Sequence, residues 1–164
     1  MIPATGSATG FRLDGRVIYA WWGPDADGYD CIAGANGGLY TFSSAEECRE
    51  TAASRGWTPS RENDAEEILD FSAAQEWLRG TRTYLDPVAA LELWNWAADV
   101  AHSAGLPWDT RQGLKAECYD KLFAANVPWF FGMDTYVPRW NPRQIVALRV
   151  VLERAVRLLR QYVS

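Results

Sequence analysis

Patterns typical of β-strands are confined to the start of the chain, and patterns typical of helices fill the rest. Residues 16–22 are β-branched and aromatic with two apolar faces, which predicts a strand covered on both sides. Shorter strands are predicted at 29–33 and 39–42, with an Asn-Gly pair between them that favours a tight hairpin turn. These strands predict a three-stranded antiparallel meander, whereas residues 1–15 are rich in small and polar residues and predict a flexible arm.

Five helices are predicted after the strands, and capping residues mark their ends. The first is predicted to begin at Ser44, with Glu47 completing a capping box, and to end at Gly56. The second helix is predicted to run from Asp64 to about Arg79, and the third from Asp86 with Pro87 to Gly105. The fourth is predicted to start at Asp109 or Thr110, and the fifth at Asn141 with Pro142. Strands followed by helices predict the α+β class. We expect one domain, with the arm at 1–15, the meander and first helix at 16–57, and a helical part at 64–164.

The composition excludes several classes of protein. Of the 164 residues, 48% are hydrophobic and 23% are charged, which excludes a disordered chain or a coiled-coil rod. No apolar run of about 18 residues occurs, and the first residues lack a secretory pattern, so we expect no membrane partner. Three cysteines, without paired spacing, favour reduced thiols and a cytoplasmic location. The single histidine, His102, excludes most zinc sites, and we expect neither a metal nor a cofactor.

Acidic side chains are concentrated in the N-terminal half. Residues 1–80 carry 13 acidic and 6 basic side chains, residues 81–164 carry 8 and 10, and the net charge is −5. The chain lacks the basic footprint of a nucleic-acid binder, and its acidic half would attract a basic partner, although solubility alone would also explain the acidity. The densest acidic run contains Glu62, Asp64, Glu66, Glu67 and Asp70. These carboxylates could stabilise a helix N-terminus, form an acid–base pair, or make a solvated face for a basic partner.

Residues 126–140 form a long connection that is rich in aromatic residues. The large side chains in it are Trp129, Phe130, Phe131, Met133, Tyr136 and Trp140. Aromatic residues and methionine on a loop are typical of the centre of a protein interface. We favour a lid that folds back over the helices, because so much exposed aromatic surface would endanger a monomer. Stacking on sugar rings is a third interpretation.

Motifs that would indicate an enzyme do not occur in the sequence. It has no Walker A loop, no glycine-rich dinucleotide motif, no kinase motifs and no zinc-protease helix. Asp25, Asp27, Gly28 and Asp30 resemble part of a calcium loop, but the spacing fails, and we predict a turn held by Asx hydrogen bonds. His102 is predicted to be a structural or surface residue. We therefore predict no catalytic residue.

A loose pattern of aromatic and polar residues runs through the C-terminal half. It consists of Leu93-Trp94-Asn95-Trp96 with Asp99, then Tyr119-Asp120-Lys121-Leu122-Phe123, Asn126 and Pro128, and finally Tyr136, Pro138 and Trp140. This half of the chain resembles a family of small bacterial immunity proteins from contact-dependent or polymorphic toxin systems. The resemblance implies a protein that binds a toxin and blocks it. Such toxins are often nucleases with basic grooves, in which an acidic surface can take the place of phosphate.

The sequence thus predicts a binding protein, not an enzyme, that neutralises a cognate toxin in a stoichiometric complex. The toxin is expected to be basic, and a nuclease is one candidate. The residues expected to contact it are Glu62, Asp64, Glu66, Glu67, Asp70, Trp129, Phe130, Tyr136 and Trp140. Two alternatives stay open. One is a carboxylate-dependent hydrolase, which needs a cleft with a carboxylate of raised pKa, and the other is a carbohydrate- or ligand-binding module.

Overall fold

The computed structural model describes residues 1–60, 68–108 and 112–163. Six strands precede the first helix, and only one short strand interrupts the helices that follow, which confirms the predicted α+β class. The strands are β1 (Ser7–Leu13), β2 (Arg16–Pro24), β3 (Asp30–Ile32), β4 (Gly34–Ala35), β5 (Gly38–Leu39), β6 (Thr41–Phe42) and β7 (Ile68–Asp70). The helices are α1 (Ala45–Ser54), α2 (Ser72–Arg79), α3 (Pro87–Ser103), α4 (Gly113–Asn126) and α5 (Pro142–Val163), with a short 3-10 helix at Pro128–Phe131.

The main sheet of the described residues has the strand order β3-β2-β1-β7, and β6 also pairs with β2. The predicted three-stranded antiparallel meander is wrong in its pairing, because the segment after the Asn-Gly turn pairs through β6 with β2 and not with β3. Strands β1 and β2 are antiparallel, and the turn between them places Asp14 at φ 50° and Gly15 at φ 76°. Positive φ at both central positions gives a turn whose twist matches that of the strands. Strand β7 runs parallel to β1, so the sheet is mixed.

The predicted flexible arm at residues 1–15 is wrong, because this segment is β1 and the chain that leads into it. Ala4 N donates to Pro24 O at 2.8 Å, which holds the first residues against the end of β2. A Cβ at Gly23 would lie 2.1 Å from Thr5 O, so the two backbones approach closely. The small residues that suggest a loop therefore permit tight packing of one strand on another.

The second predicted helix, over 64–79, is wrong in its first part. Residues 64–67 lie outside the described residues, but Ile68–Asp70 is a strand, and α2 begins only at Ser72. Phe71, between them, is fully buried. Ile68 and Phe71 are spaced three apart, so they fit a helical stripe as well as a strand end. The edge of β1 decides between the two, because it supplies backbone partners that a helix would leave unused.

The hairpin predicted at the Asn-Gly pair is confirmed. Asn36 and Gly37 have φ of 54° and 79°, and they join the antiparallel strands β4 and β5. These two strands form a small separate sheet, so the strand predicted at 39–42 is divided between β5 and β6.

Three of the predicted helix caps are confirmed. Ser44 accepts a hydrogen bond from Glu47 N, Asp86 accepts from Val88 N and Ala89 N, and Asn141 and Gln144 exchange two hydrogen bonds. The start predicted at Asp109 or Thr110 lies outside the described residues, and α4 begins at Gly113.

Helix α3 lies at the centre of the main core, packed against α2, α4, α5 and the sheet. Phe11 of β1 is fully buried, with its ring centroid 5.1 Å from that of Trp96 on α3, so the sheet and the helices share one core. A second cluster, around Trp21 and Cys48, lies between the sheet and α1. Because the core takes up most large apolar side chains, a group of exposed ones needs an explanation.

Candidate functional site

Four aromatic side chains form an exposed cluster at the end of α4 and in the 3-10 helix that follows. We call Phe123, Trp129, Phe130 and Phe131 the aromatic patch, and they are 37%, 72%, 67% and 51% exposed. Their rings meet edge to face, with centroids 5.3–6.4 Å apart. The favoured prediction of a lid is therefore wrong for Trp129, Phe130 and Phe131, because more than half of each side chain is exposed.

The local sequence holds the patch in place. Pro128 begins the 3-10 helix, and Gly132 ends it with a left-handed φ of 72° that favours glycine. Asn126 Nδ2 donates to Leu122 O at 2.8 Å and to Pro87 O at 3.0 Å. The bond to Pro87 ties the end of α4 to the start of α3, and the bond to Leu122 fixes the Asn126 side chain on its own helix. The segment that carries the aromatic rings is therefore well anchored.

The other two aromatic residues predicted at the site have no ring contact with the patch among the described residues. Trp140 is half-buried against the core, with Lys121 Nζ 5.5 Å from its ring centroid. Lys121 also donates to Gln144 Oε1 at 3.0 Å, so Trp140 belongs to the junction of α4 and α5. Tyr136 is half-buried in the segment before it.

Sequence reasoning did not assign Phe123 or Phe131 to the site. Phe123 follows Leu122, which is fully buried together with Cys118 one turn earlier. Its position outside that buried stripe is the signal that could have found it. Phe131 adjoins Phe130 and carries no separate signal in the sequence.

The acidic run is only partly visible. Glu62, Asp64, Glu66 and Glu67 lie outside the described residues. Asp70 accepts a hydrogen bond from Ser72 N at 2.9 Å, and its carboxylate lies 3.3 Å from Arg12 Nε. Partial burial raises the pKa of Asp70, but the bonds from Ser72 and the charge of Arg12 together hold it below its usual value. Asp70 is therefore engaged in joining β7, α2 and β1.

A second group of polar residues lies where β2 and β3 meet the end of α3. Asp99 is half-buried, and its Oδ2 accepts a hydrogen bond from Trp22 Nε1 at 2.9 Å. Burial, helped by the charge of Asp30, raises the pKa of Asp99 to about 7. Ser103 Oγ donates to the Asp99 carbonyl at 2.6 Å. This carboxyl can hold or release a proton near neutral pH, which is one of the two features that a carboxylate-dependent hydrolase requires.

The Asp25 turn, next to this group, is held as predicted. Asp25 Oδ1 accepts from Asp27 N at 2.9 Å and from Tyr29 N at 3.0 Å, which confirms the Asx-type turn. His102 Nε2 donates to the other carboxylate oxygen at 2.9 Å, and this bond is the main cause that lowers the pKa of Asp25. His102 thus links the turn to α3.

Across residues 1–60, 68–108 and 112–163, no three potential metal ligands come together. No helix in these ranges has the length and apolar character needed to cross a bilayer. No family model matches the chain, and neither a curated protein nor a solved structure matches it.

Proposed function

We propose that this chain is a binding protein whose aromatic patch docks into an apolar hollow of a partner protein. The observation that carries the proposal is the exposure of Trp129, Phe130 and Phe131 side by side on a well-anchored support. Tryptophan and other aromatic side chains dominate the binding energy of protein interfaces. Exposing three of them costs solubility, and a partner that covers them removes this cost.

The charges around the patch indicate which partner would fit. Asp120 is exposed on α4, one turn before Phe123, and Asp134 is exposed just after Gly132. Lys121, the cation between them in the chain, is directed to the Arg139 carbonyl and to Gln144. An apolar centre with acidic side chains nearby favours a partner that has basic residues around its own hollow, because opposite charges speed association.

In its specific form, the proposal is that the partner is a basic toxin and that the chain neutralises it in the cytosol. The support is the resemblance to immunity proteins, together with the acidity of the N-terminal half. Several residues of that resemblance build the support for the patch: Asn126 fixes the end of α4, and Tyr119 packs edge to face on Trp94. The buried thiols of Cys31 and Cys118 suit a reducing compartment.

The decisive experiment expresses the product of the neighbouring open reading frame, with and without the chain, and measures its toxicity. We expect a one-to-one complex on size-exclusion chromatography and rescue of growth. Trp129→Ala with Phe130→Ala should weaken the complex by at least about a hundredfold, since truncating one such residue commonly costs about 2 kcal/mol. The matched control is Val146→Ala with Val150→Ala, which removes two exposed apolar side chains from α5.

The proposal fails if the neighbouring product is not toxic or does not bind the chain, or if the double aromatic variant rescues growth as well as the wild type. Sedimentation with lipid vesicles provides a second check, because exposed Trp and Phe residues are also found on proteins that bind membrane surfaces. Binding to vesicles that is lost in the aromatic variant would assign the patch to a membrane and overturn the proposal.

A further inference from the structure

A groove between α2 and α5 gathers arginines from both helices. It has a volume of about 300 Å³ and is lined by Gln75, Leu78, Arg79, Glu153, Val156, Arg157 and Arg160. It shares no residue with the aromatic patch. Helix α5 carries five arginines and one glutamate, although the whole chain has a net charge of −5. Positive charge is therefore concentrated on this helix, against the trend of the molecule.

One of the three arginines is held in place by neighbouring side chains. Arg160 forms two hydrogen bonds to the Asp14 carboxylate, at 2.8 Å from Nε and 2.7 Å from a terminal nitrogen. Asp14 is fixed in turn by Gln75, which is only 4% exposed: Gln75 Nε2 donates to Asp14 Oδ1, and Gln75 Oε1 accepts from Asp14 N. The position of the Arg160 guanidinium is thus set before any ligand arrives, which lowers the entropy lost on binding.

The other two arginines are not held in this way, although the charge of Arg79, after the bonds from Arg160, helps to lower the pKa of Asp14. In the described part of the chain, no carboxylate oxygen lies within ion-pair distance of Arg79 or Arg157. Arg79 comes from the last turn of α2 and Arg157 from α5, so two separate helices place unpaired guanidiniums around one hollow. Repulsion between such groups falls when an anion binds between them, and a guanidinium fork suits the oxygens of a phosphate.

Glu153 restricts the choice of anion. Its carboxylate lines the same groove and repels an anionic group placed beside it, but it accepts hydrogen bonds from hydroxyls. Leu78 and Val156 supply apolar surface for a carbon skeleton. We propose that the groove between α2 and α5 binds a small phosphorylated polyol, with its phosphate on Arg79, Arg157 and Arg160 and a hydroxyl on Glu153.

A neighbouring hollow shares Arg157 but suits this ligand less well. It has a volume of about 470 Å³ and also contains Arg154, whose guanidinium donates to the Pro107 carbonyl at 2.7 Å and lies 4.8 Å from the Trp108 ring centroid. This hollow contains two arginines rather than three, and Leu106 and Leu158 make much of its remaining wall apolar. The groove with three arginines therefore carries the proposal.

Isothermal titration calorimetry with ribose 5-phosphate tests the site directly. We expect one saturable site, with no binding of ribose and weaker binding of inorganic phosphate. Arg79→Gln and Arg157→Gln should each weaken ribose 5-phosphate at least about tenfold, because each removes a charge-assisted hydrogen bond. The control is Arg143→Gln, an exposed arginine on the same helix outside the groove, and it should bind like the wild type. Circular dichroism checks that each variant is folded.

Glu153→Gln separates the two halves of the proposed ligand. It should weaken ribose 5-phosphate more than inorganic phosphate, because only the former presents hydroxyls. The proposal is overturned if ribose 5-phosphate does not saturate at millimolar concentration, if Arg143→Gln weakens it as much as Arg157→Gln, or if inorganic phosphate binds equally well. Tighter binding of a single-stranded oligonucleotide, with a steep salt dependence, would also overturn it in favour of a nucleic-acid surface.

Discussion

Among the described residues, Asp99 is the one whose pKa the fold shifts furthest. It is half-buried beside Trp22, and the single hydrogen bond from the indole does not replace the water that its charged form would have. Burial therefore raises its pKa from 3.8 to about 7. The unfolded chain loses this proton at a lower pH than the native protein does. Asp99 accordingly favours the native state below pH about 4, and this contribution is lost as the pH rises through 7.

Asp99→Asn tests this reasoning. The amide oxygen can still accept from Trp22, but it has no proton to lose, so the part of the pH dependence due to Asp99 should disappear. At about 1.4 kcal/mol for each pKa unit, the wild type should lose up to about 4 kcal/mol of unfolding free energy between pH 4 and 7 relative to the variant. Urea denaturation at several pH values measures this, with the exposed Asp134→Asn as control. Parallel profiles for the wild type and Asp99→Asn would refute it.

At the scale of elements, the sequence correctly predicted the helix caps and the tight turn, which depend on residues close together in the chain. The caps at Ser44, Asp86 and Asn141 and the turn at Asn36 depend on neighbours within a few residues, and all four are confirmed. The two failures, the arm at 1–15 and the first part of the second helix, concern β1 and β7. These strands pair with each other across more than fifty residues of chain, so their partners cannot be read from either segment alone.

For the candidate site too, local sequence features were predictable and long-range packing was not. The aromatic content of residues 126–140 is visible in the sequence, and Trp129 and Phe130 were assigned to the site on that ground. Whether those rings turn inward or outward depends on whether the core has room for them, and α3 already fills it with Trp94 and Trp96. Phe123 joins the site only because the 3-10 helix comes back to lie beside the end of α4.

Gly23→Ala tests whether the N-terminal segment is an integral element. A Cβ at this position would lie 2.1 Å from the Thr5 carbonyl oxygen, so the backbone before β1 must shift. We expect a loss of about 1–3 kcal/mol of unfolding free energy, as for other overpacked sites. Gly38→Ala is the matched control, because there the nearest atom is 3.6 Å away, in ordinary contact. Equal stability of both variants in urea would show that residues 1–6 are not held against β2.

At the scale of the whole molecule, one core joins the sheet to the helices. Phe11 and Ile32 from the sheet belong to the same buried cluster as Leu93 and Leu152 from the helices. The aromatic patch and the groove between α2 and α5 both lie on helices that pack around α3. A change in the sheet is therefore expected to lower the stability of the elements that carry both sites, although it touches neither.

Phe11→Ala tests this coupling. Phe11 is fully buried between Phe71 and Trp96, with ring centroids 6.1 Å and 5.1 Å away, so the truncation leaves a cavity at the boundary of sheet and helices. Such changes cost about 3–5 kcal/mol. Urea unfolding is followed by far-ultraviolet circular dichroism, which is dominated by the helices, and by tryptophan fluorescence. If the core is one cooperative unit, the two transitions should coincide in the wild type and also in the variant, where both shift together to lower urea. A variant whose helical signal keeps the wild-type midpoint, although the truncation lies in the sheet, would mean that the helices are stable without the sheet. The aromatic patch and the groove would then depend only on the helical part.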